Sequence, residues 1–170
     1  MRSGGGSSLH ELRDEGWTVA NHPQTERPLP ACSAADQRAE MERTKRWLLD
    51  HGFAAGADTV VWPYGEADAT TLSLARRYYR VGLSAGAAPS ALPVTDPLTV
   101  ARVDGTEVER ACRLLDLAER TRALVTLAYH PVGTDDGNAV SEAGLRETVA
   151  HAVDADLDVV TPADLTTTPP

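Results

Sequence analysis

The chain has 170 residues, a formal net charge of −9 and hydrophobic side chains at 42% of its positions. This length and hydrophobic content predict one folded domain with a substantial core and argue against a disordered chain. The negative charge argues against nucleic acid or an anionic membrane as a partner, because both attract cationic proteins. No apolar run predicts a membrane span or a secretion signal, so the cytoplasm is the default expectation for the compartment.

Short apolar runs alternate along the chain with segments of helical spacing. A capping-box pattern of Ser8 with Glu11 predicts a short first helix that Gly16 ends. Four further helices are predicted from capping residues and apolar spacing, and they start after Ser33, after Asp68, at Asp104 with Glu107, and after Ser141. The runs that predict strands are 17–20, 59–62, 81–84, 99–103, 124–129 and 157–160.

This alternation predicts an α/β fold. Strands that alternate with helices of ten or more residues form βα units and a parallel sheet. A total of about six strands is low for a closed barrel. We expect a flexible leader over 1–8, one domain over 9–165 and a tail over 166–170. The two cysteines, Cys32 and Cys112, share no short spacing and therefore give no zinc-finger or redox motif.

Two histidines each follow a strand-like run. His22 comes just after 17–20 and His130 just after 124–129. The carboxyl ends of parallel strands share one edge, so we expect both imidazoles to open onto a common pocket. His22 and Glu26 stand four residues apart and can reach one divalent ion, although a polar loop in which His22 bonds the backbone also fits. His130 suits either a general acid or a structural histidine.

A Pro-aromatic-Gly sequence follows the second predicted strand. In Trp62-Pro63-Tyr64-Gly65, the break after the strand can hold an aromatic wall and a free backbone N–H over a ligand. The same residue types also form ordinary turns.

Four short motifs in a fixed order carry a family resemblance. They are Gly-Trp-Thr-Val-Ala-Asn-His at 16–22, Trp-Pro-Tyr-Gly at 62–65, Leu-Ala-Tyr-His at 127–130 and Leu-Asp-Val-Val-Thr-Pro-Ala-Asp-Leu at 157–165. Taken together, they resemble the polysaccharide deacetylase family of carbohydrate esterases over residues 9–165. The resemblance implies a distorted (β/α) barrel that hydrolyses N- or O-acetyl groups on a carbohydrate such as chitin, peptidoglycan or xylan. In that family a zinc-like ion activates water.

The resemblance also implies roles for individual residues. His22 resembles the first metal-binding histidine, and Glu26 stands where a second one is usual, so the implied cofactor is a divalent metal such as zinc or cobalt. The backbone N–H of Tyr64 would face the oxyanion, with Trp62, Pro63 and Tyr64 lining the sugar site. His130 resembles the late general acid.

The chain departs from the family pattern at several points. The N-terminal strand that ends in paired aspartates, which supplies the base and a metal ligand, is absent from the sequence. Val61 stands where an arginine is usual, and Pro131 where an aspartate is common. Two interpretations stay open: a fragment whose gene starts upstream, which the Gly/Ser start favours, or a diverged member that has lost hydrolysis. We expect little or no activity from the chain as given.

Two further expectations follow from these departures. The rival to a deacetylase is a non-catalytic barrel remnant that binds a glycan or a protein without metal. A barrel without its first strand would expose parallel edges beside 17–20 and 157–160. Unpaired edges of this kind predict a homodimer or reduced stability.

Overall fold

A four-stranded parallel sheet forms the centre of the computed structural model, which describes residues 5–130, 132–134 and 139–166. The strands are β1 (Thr59–Val61), β2 (Val81–Ala85), β3 (Val100–Asp104) and β4 (Thr126–Ala128). They lie side by side in chain order, each parallel to the next. The sheet curls into half of a distorted barrel, which confirms the predicted α/β class and the incomplete barrel.

Five helices surround the sheet within the described residues. They are α1 (Gly5–Asp14), α2 (Ala34–Asp50), α3 (Ala69–Ala75), α4 (Val108–Thr121) and α5 (Glu142–Asp154). Helix α3 connects β1 to β2 and α4 connects β3 to β4, whereas β2 and β3 are joined by an irregular segment that ends in a short 3₁₀ turn. Helix α5 packs against α4. No helix in this part of the chain has the length and apolarity that crossing a membrane requires.

Most of the predicted helix caps are confirmed. The side chains of Ser33, Asp68 and Ser141 each accept a hydrogen bond from a backbone N–H in the first turn of α2, α3 and α5. Two helix starts differ from the prediction. Helix α1 begins at Gly5, earlier than the predicted cap at Ser8. Helix α4 begins after Glu107 without a side-chain cap.

The first and last predicted strands are wrong. Residues 17–20 form no ladder, and only Asn21 makes a single parallel bridge, to Val60 of β1. Residues 157–160 are irregular, and Val159 is 90% exposed. An apolar run becomes a strand only when a neighbouring strand satisfies its backbone groups, because β-propensity depends on tertiary context. Neither run has such a neighbour in the described part of the chain.

Asn21 fixes the segment before β1 to the sheet. Its side chain is fully buried, and its amide nitrogen donates to the carbonyls of Ala57 at 2.9 Å and Thr59 at 3.1 Å. Its backbone N–H donates to the Thr59 carbonyl, and its own carbonyl accepts from the N–H of Val61. These bonds hold residue 22 beside the carboxyl end of β1.

The main core lies between the sheet and helices α2 and α3. The indole of Trp62 is fully buried there, and its Nε1–H donates to the Leu98 carbonyl at 2.9 Å. Its ring meets that of Tyr79 edge-on, with centroids 6.2 Å apart. The Tyr79 hydroxyl donates to the Met41 carbonyl, and burial raises the pKa of this hydroxyl. Trp62 therefore connects β1 to both helices and to the turn before β3.

We predict that Trp62→Phe lowers the free energy of unfolding by about 1–3 kcal/mol, because the Leu98 carbonyl loses its buried donor and the smaller ring leaves a gap. The matched control is Trp17→Phe, since the Trp17 side chain is 66% exposed and its replacement should change stability by roughly 0.5 kcal/mol or less. Urea unfolding followed by circular dichroism measures both. Equal losses in the two variants would contradict the role assigned to Trp62.

Candidate functional site

The carboxyl ends of the four strands form one edge of the sheet, which we call the rim. His22 lies beside the end of β1, and His130 follows β4. Both histidines are therefore at the same edge, as the sequence predicts. His22 and His130 stand at opposite ends of the rim, with β1, β2 and β3 between them. At the usual strand spacing, this separation is about 19 Å along the curled sheet. The pocket that His22 lines does not include His130.

His22 makes the backbone hydrogen bond and also faces Glu26. Its Nδ1 lies 2.8 Å from the Val61 carbonyl. A carbonyl only accepts hydrogen bonds, so Nδ1 carries the proton, and Nε2 of the neutral ring keeps its lone pair. Nε2 lies 4.0 Å from Oε1 of Glu26. The N–H of Glu26 donates to the Pro23 carbonyl. This turn brings the Glu26 carboxylate beside the His22 imidazole. The backbone hydrogen bond expected for His22 is therefore present, and the Glu26 carboxylate lies beside the ring.

This pair falls short of a complete metal site. A catalytic zinc ion is usually held by three protein ligands and a water molecule. Among the described residues, no three His, Cys, Asp or Glu side chains gather closely enough to hold an ion. His22 and Glu26 supply a nitrogen and a carboxylate of the right chemistry, but two donors alone do not fit the metal centre of a hydrolase.

The turn after β1 presents Tyr64 to solvent. Residues Pro63–Gly65 form one 3₁₀ turn in which Tyr64 has a left-handed backbone, with φ 57° and ψ 8°. Its ring is 67% exposed. Gly65 also has a positive φ, and a Cβ there would lie 2.1 Å from the backbone nitrogen of Ala85. The N–H of Tyr64 has no acceptor within the described residues, which leaves it available to a ligand.

Trp62 and Pro63 do not line a sugar site with their side chains. Both are fully buried, and the indole of Trp62 belongs to the core. The prediction failed for them because a strand residue just before a turn can face either side of the sheet. Of the three residues, only Tyr64 has an exposed ring.

Arg102 is a site residue that the sequence reasoning missed. Its side chain extends from β3, and Nη2 donates to the Trp62 carbonyl at 2.8 Å. Nε is buried without a hydrogen-bond partner, and burial lowers the pKa of this guanidinium. A guanidinium from β3 thus reaches Trp62, the residue that follows β1. No spacing in the sequence signals this contact, since forty residues separate Arg102 from Trp62.

Asp104 is a second missed residue, and it lies near His130. Asp104 is the last residue of β3 and pairs with Ala128 of β4. His130 comes two residues after Ala128. Hydrogen bonds from the hydroxyl and the backbone N–H of Thr106 lower the pKa of the Asp104 carboxyl, and the charge of His130 lowers it further. Asp104 and His130 therefore lie at the carboxyl ends of neighbouring strands. Pro131 itself lies outside the described residues.

Comparisons with known proteins agree with this geometry. Residues 5–81 match the family model described as polysaccharide deacetylase. No curated protein matches the sequence of the chain. The family resemblance drawn from the motifs is thus confirmed over the first half of the chain.

Solved structures share the fold. A family 4 carbohydrate esterase from Streptomyces lividans in complex with acetate aligns with a TM-score of 0.52 and 15% identity, covering 93% of this chain and 73% of that one. The Streptococcus pyogenes deacetylase PplD in complex with acetate aligns with a TM-score of 0.51 and 22% identity over 58% of this chain. The chain spans only 43% of the length of that deacetylase. At these identities the likeness concerns the fold.

We predict that Thr106→Val raises the pKa of the Asp104 carboxyl toward its ordinary value, because the hydroxyl bond to the carboxylate is lost. His130→Ala should raise it by a smaller amount. Because the folded pKa is depressed, ionised Asp104 stabilises the fold above its unfolded pKa, and this contribution is lost as the pH falls through the folded pKa.

Carbon NMR of the Asp104 carboxyl across an acid titration measures these shifts. Thr99→Val is the matched control, since the Thr99 hydroxyl bonds the Asp96 carbonyl instead. If His130→Ala left the pKa of Asp104 unchanged, the two side chains would not interact.

Proposed function

Because residues 5–81 belong to the polysaccharide deacetylase family, we propose that the rim serves the hydrolysis of N- or O-acetyl groups on a carbohydrate. The observation that carries this proposal is the placement of Asp104 and His130 at the carboxyl ends of the neighbouring strands β3 and β4. Acetyl transfer to water needs a proton donor for the leaving group, and an imidazole beside a carboxylate is suited to that role.

His130 acts as the general acid in this proposal. Its side chain is exposed at the rim and can meet a large substrate. The carboxylate of Asp104 on the neighbouring strand stabilises the imidazolium electrostatically. The proton then passes to the departing amine or alkoxide of the sugar when the acetyl carbon–heteroatom bond breaks.

Tyr64 supports the acetyl group in two ways. Its N–H, which has no acceptor among the described residues, donates to the carbonyl oxygen as negative charge develops there. Its exposed ring packs against the sugar. The bond from Arg102 to the Trp62 carbonyl holds the start of this turn in place. Arg102 is therefore a positioning residue.

The family is generally metal-dependent, and a bound ion would supply a means of lowering the pKa of water. We propose that His22 and Glu26 are the residues of this chain that bind zinc or cobalt. Two donors give weaker binding than the usual three. We therefore expect little or no hydrolysis by the chain as given.

The second candidate function is a barrel remnant that binds a glycan or a protein without metal. Because His22 and Glu26 supply only two metal donors, they favour this candidate. The exposed ring of Tyr64 would serve binding equally well.

Metal titration separates these two candidates. Calorimetry with zinc or cobalt that shows micromolar binding to the wild type and its loss in His22→Ala would support the metal site. His151→Ala is the matched control, because its imidazole binds Asp116 between α4 and α5, away from the rim. Equal binding by the wild type and His22→Ala, or none by either, would remove the metal site.

Acetate release from an acetylated chito-oligosaccharide tests hydrolysis directly. Slow release that falls at least about tenfold in His130→Ala supports the general acid, since such groups contribute roughly 10²–10⁴-fold. Release that is unaffected by His130→Ala would contradict its role. Binding of the oligosaccharide without any release favours the non-catalytic candidate.

We also propose that the chain forms a homodimer through its open sheet edges. The edges in the structure are β4 and the segment around Asn21, rather than the predicted 157–160. Light scattering should show a mass that rises with concentration. Thr126→Lys on the β4 edge or Thr18→Lys beside Asn21 should restore the monomer, because an edge lysine opposes strand pairing. A monomer at every concentration would contradict this proposal.

A further inference from the structure

Two turns at the rim touch each other through Gly105 and Tyr129. Gly105 directly follows Asp104, and Tyr129 directly precedes His130. A Cβ added to Gly105 would lie 2.6 Å from Cζ and 2.7 Å from Cε1 of Tyr129. Carbon atoms that are not bonded to each other do not approach so closely, so the Tyr129 ring lies directly on the Gly105 backbone. The residues next to Asp104 and His130 therefore pack against each other.

A backbone hydrogen bond holds the same two turns together. The N–H of Gly105 donates to the Ala128 carbonyl at 2.9 Å, one residue beyond the register pair of Asp104 with Ala128. One hydrogen bond alone leaves two segments free to pivot around it. The flat ring of Tyr129 beside this bond supplies a second point of contact, which restricts how far apart the two turns can move.

The end of the Tyr129 side chain lies against helices α4 and α5. Its hydroxyl oxygen is buried without a hydrogen bond of good geometry to the described residues. Burial raises the pKa of this hydroxyl, the side chain of Thr148 in α5 lowers it by less, and the charge of Cys112 in α4 raises it further. The Thr148 hydroxyl itself donates to the Gly144 carbonyl. Packing, rather than a hydrogen bond, therefore keeps the Tyr129 ring in place.

The distance between the two turns matters because Asp104 acts on His130 through its charge. The attraction between a carboxylate and an imidazolium weakens as their separation grows, and water between them screens it further. The His130 side chain is exposed, so contacts of its own ring do little to hold it near Asp104. The backbone that carries His130 must supply this placement.

We propose that Tyr129 is a positioning residue whose ring, packed on Gly105, sets the distance between the Asp104 carboxylate and the His130 imidazole. The inference rests on the proposed function, in which His130 is the general acid. It adds that the helices behind the sheet take part in the site, because α4 and α5 support the ring. Gly105 belongs to the same contact, since only a residue without a Cβ leaves room for the ring.

The electrostatic coupling between Asp104 and His130 tests the inference. Carbon NMR of the Asp104 carboxyl, with and without His130→Ala, gives this coupling as the difference between two pKa values. Tyr129→Ala should reduce the difference to about half of its wild-type value or less, because the turns move apart and charge interactions weaken with distance. Gly105→Ala should reduce it as well, since the new Cβ displaces the ring.

Two controls separate positioning from stability. Tyr129→Phe keeps the ring and loses only a buried hydroxyl, so it should retain the wild-type difference. Tyr78→Ala removes another half-buried ring, but from the α2–α3 side of the core, where its hydroxyl donates to Glu42. Tyr78→Ala should lower the free energy of unfolding without changing the difference between the two Asp104 pKa values.

Each result decides the inference. An unchanged difference in Tyr129→Ala or Gly105→Ala overturns it, and so does a wild type in which His130→Ala leaves the Asp104 pKa unchanged. An equal reduction in Tyr78→Ala also overturns it, because any loss of stability would then have the same effect. If Tyr129→Ala does not fold, Tyr129→Leu takes its place, since leucine fills much of the space without a flat ring. Acetate release by the wild type and His130→Ala tests the proposed function independently of these outcomes.

Discussion

The hydrogen bonds of Asn21 are the constraint on which the first half of the site depends. A fully buried amide donates to carbonyls just before and within β1, and the backbone of the same residue exchanges two bonds with that strand. Leaving such carbonyls unpaired in the interior costs about 1–3 kcal/mol each. Asn21 thereby holds an irregular segment against the sheet, and His22, the next residue, has its imidazole directed by the Val61 carbonyl.

The chemistry of the rim is divided between its two ends. His22 and Glu26 lie beside β1, with Nε2 and Oε1 4.0 Å apart, whereas Asp104 and His130 lie at the carboxyl ends of β3 and β4. Arg102 connects these ends, because it belongs to β3 but bonds the carbonyl of Trp62.

Local features could be read from the sequence, whereas features that depend on distant neighbours could not. The caps at Ser33, Asp68 and Ser141 were predicted correctly because a cap involves only residues within one turn. The runs 17–20 and 157–160 were predicted as strands because apolar pattern says nothing about whether a partner strand is present. Arg102 and Asp104 were missed for a related reason: their roles come from contacts between strands, and no spacing encodes them. His22 and His130 lie at the same edge of the sheet, but the pocket that His22 lines does not include His130, so the common pocket expected from their spacing is not formed there.

The strand order has a consequence for how the protein folds. Each strand pairs with the next one along the chain, so every pairing closes a loop of only about twenty residues, and the entropy cost of closure stays small. Low sequence separation between partners favours rapid folding. The sheet can therefore grow from β1 to β4 in the order of synthesis, with each new strand using the previous one as its template as the chain leaves the ribosome.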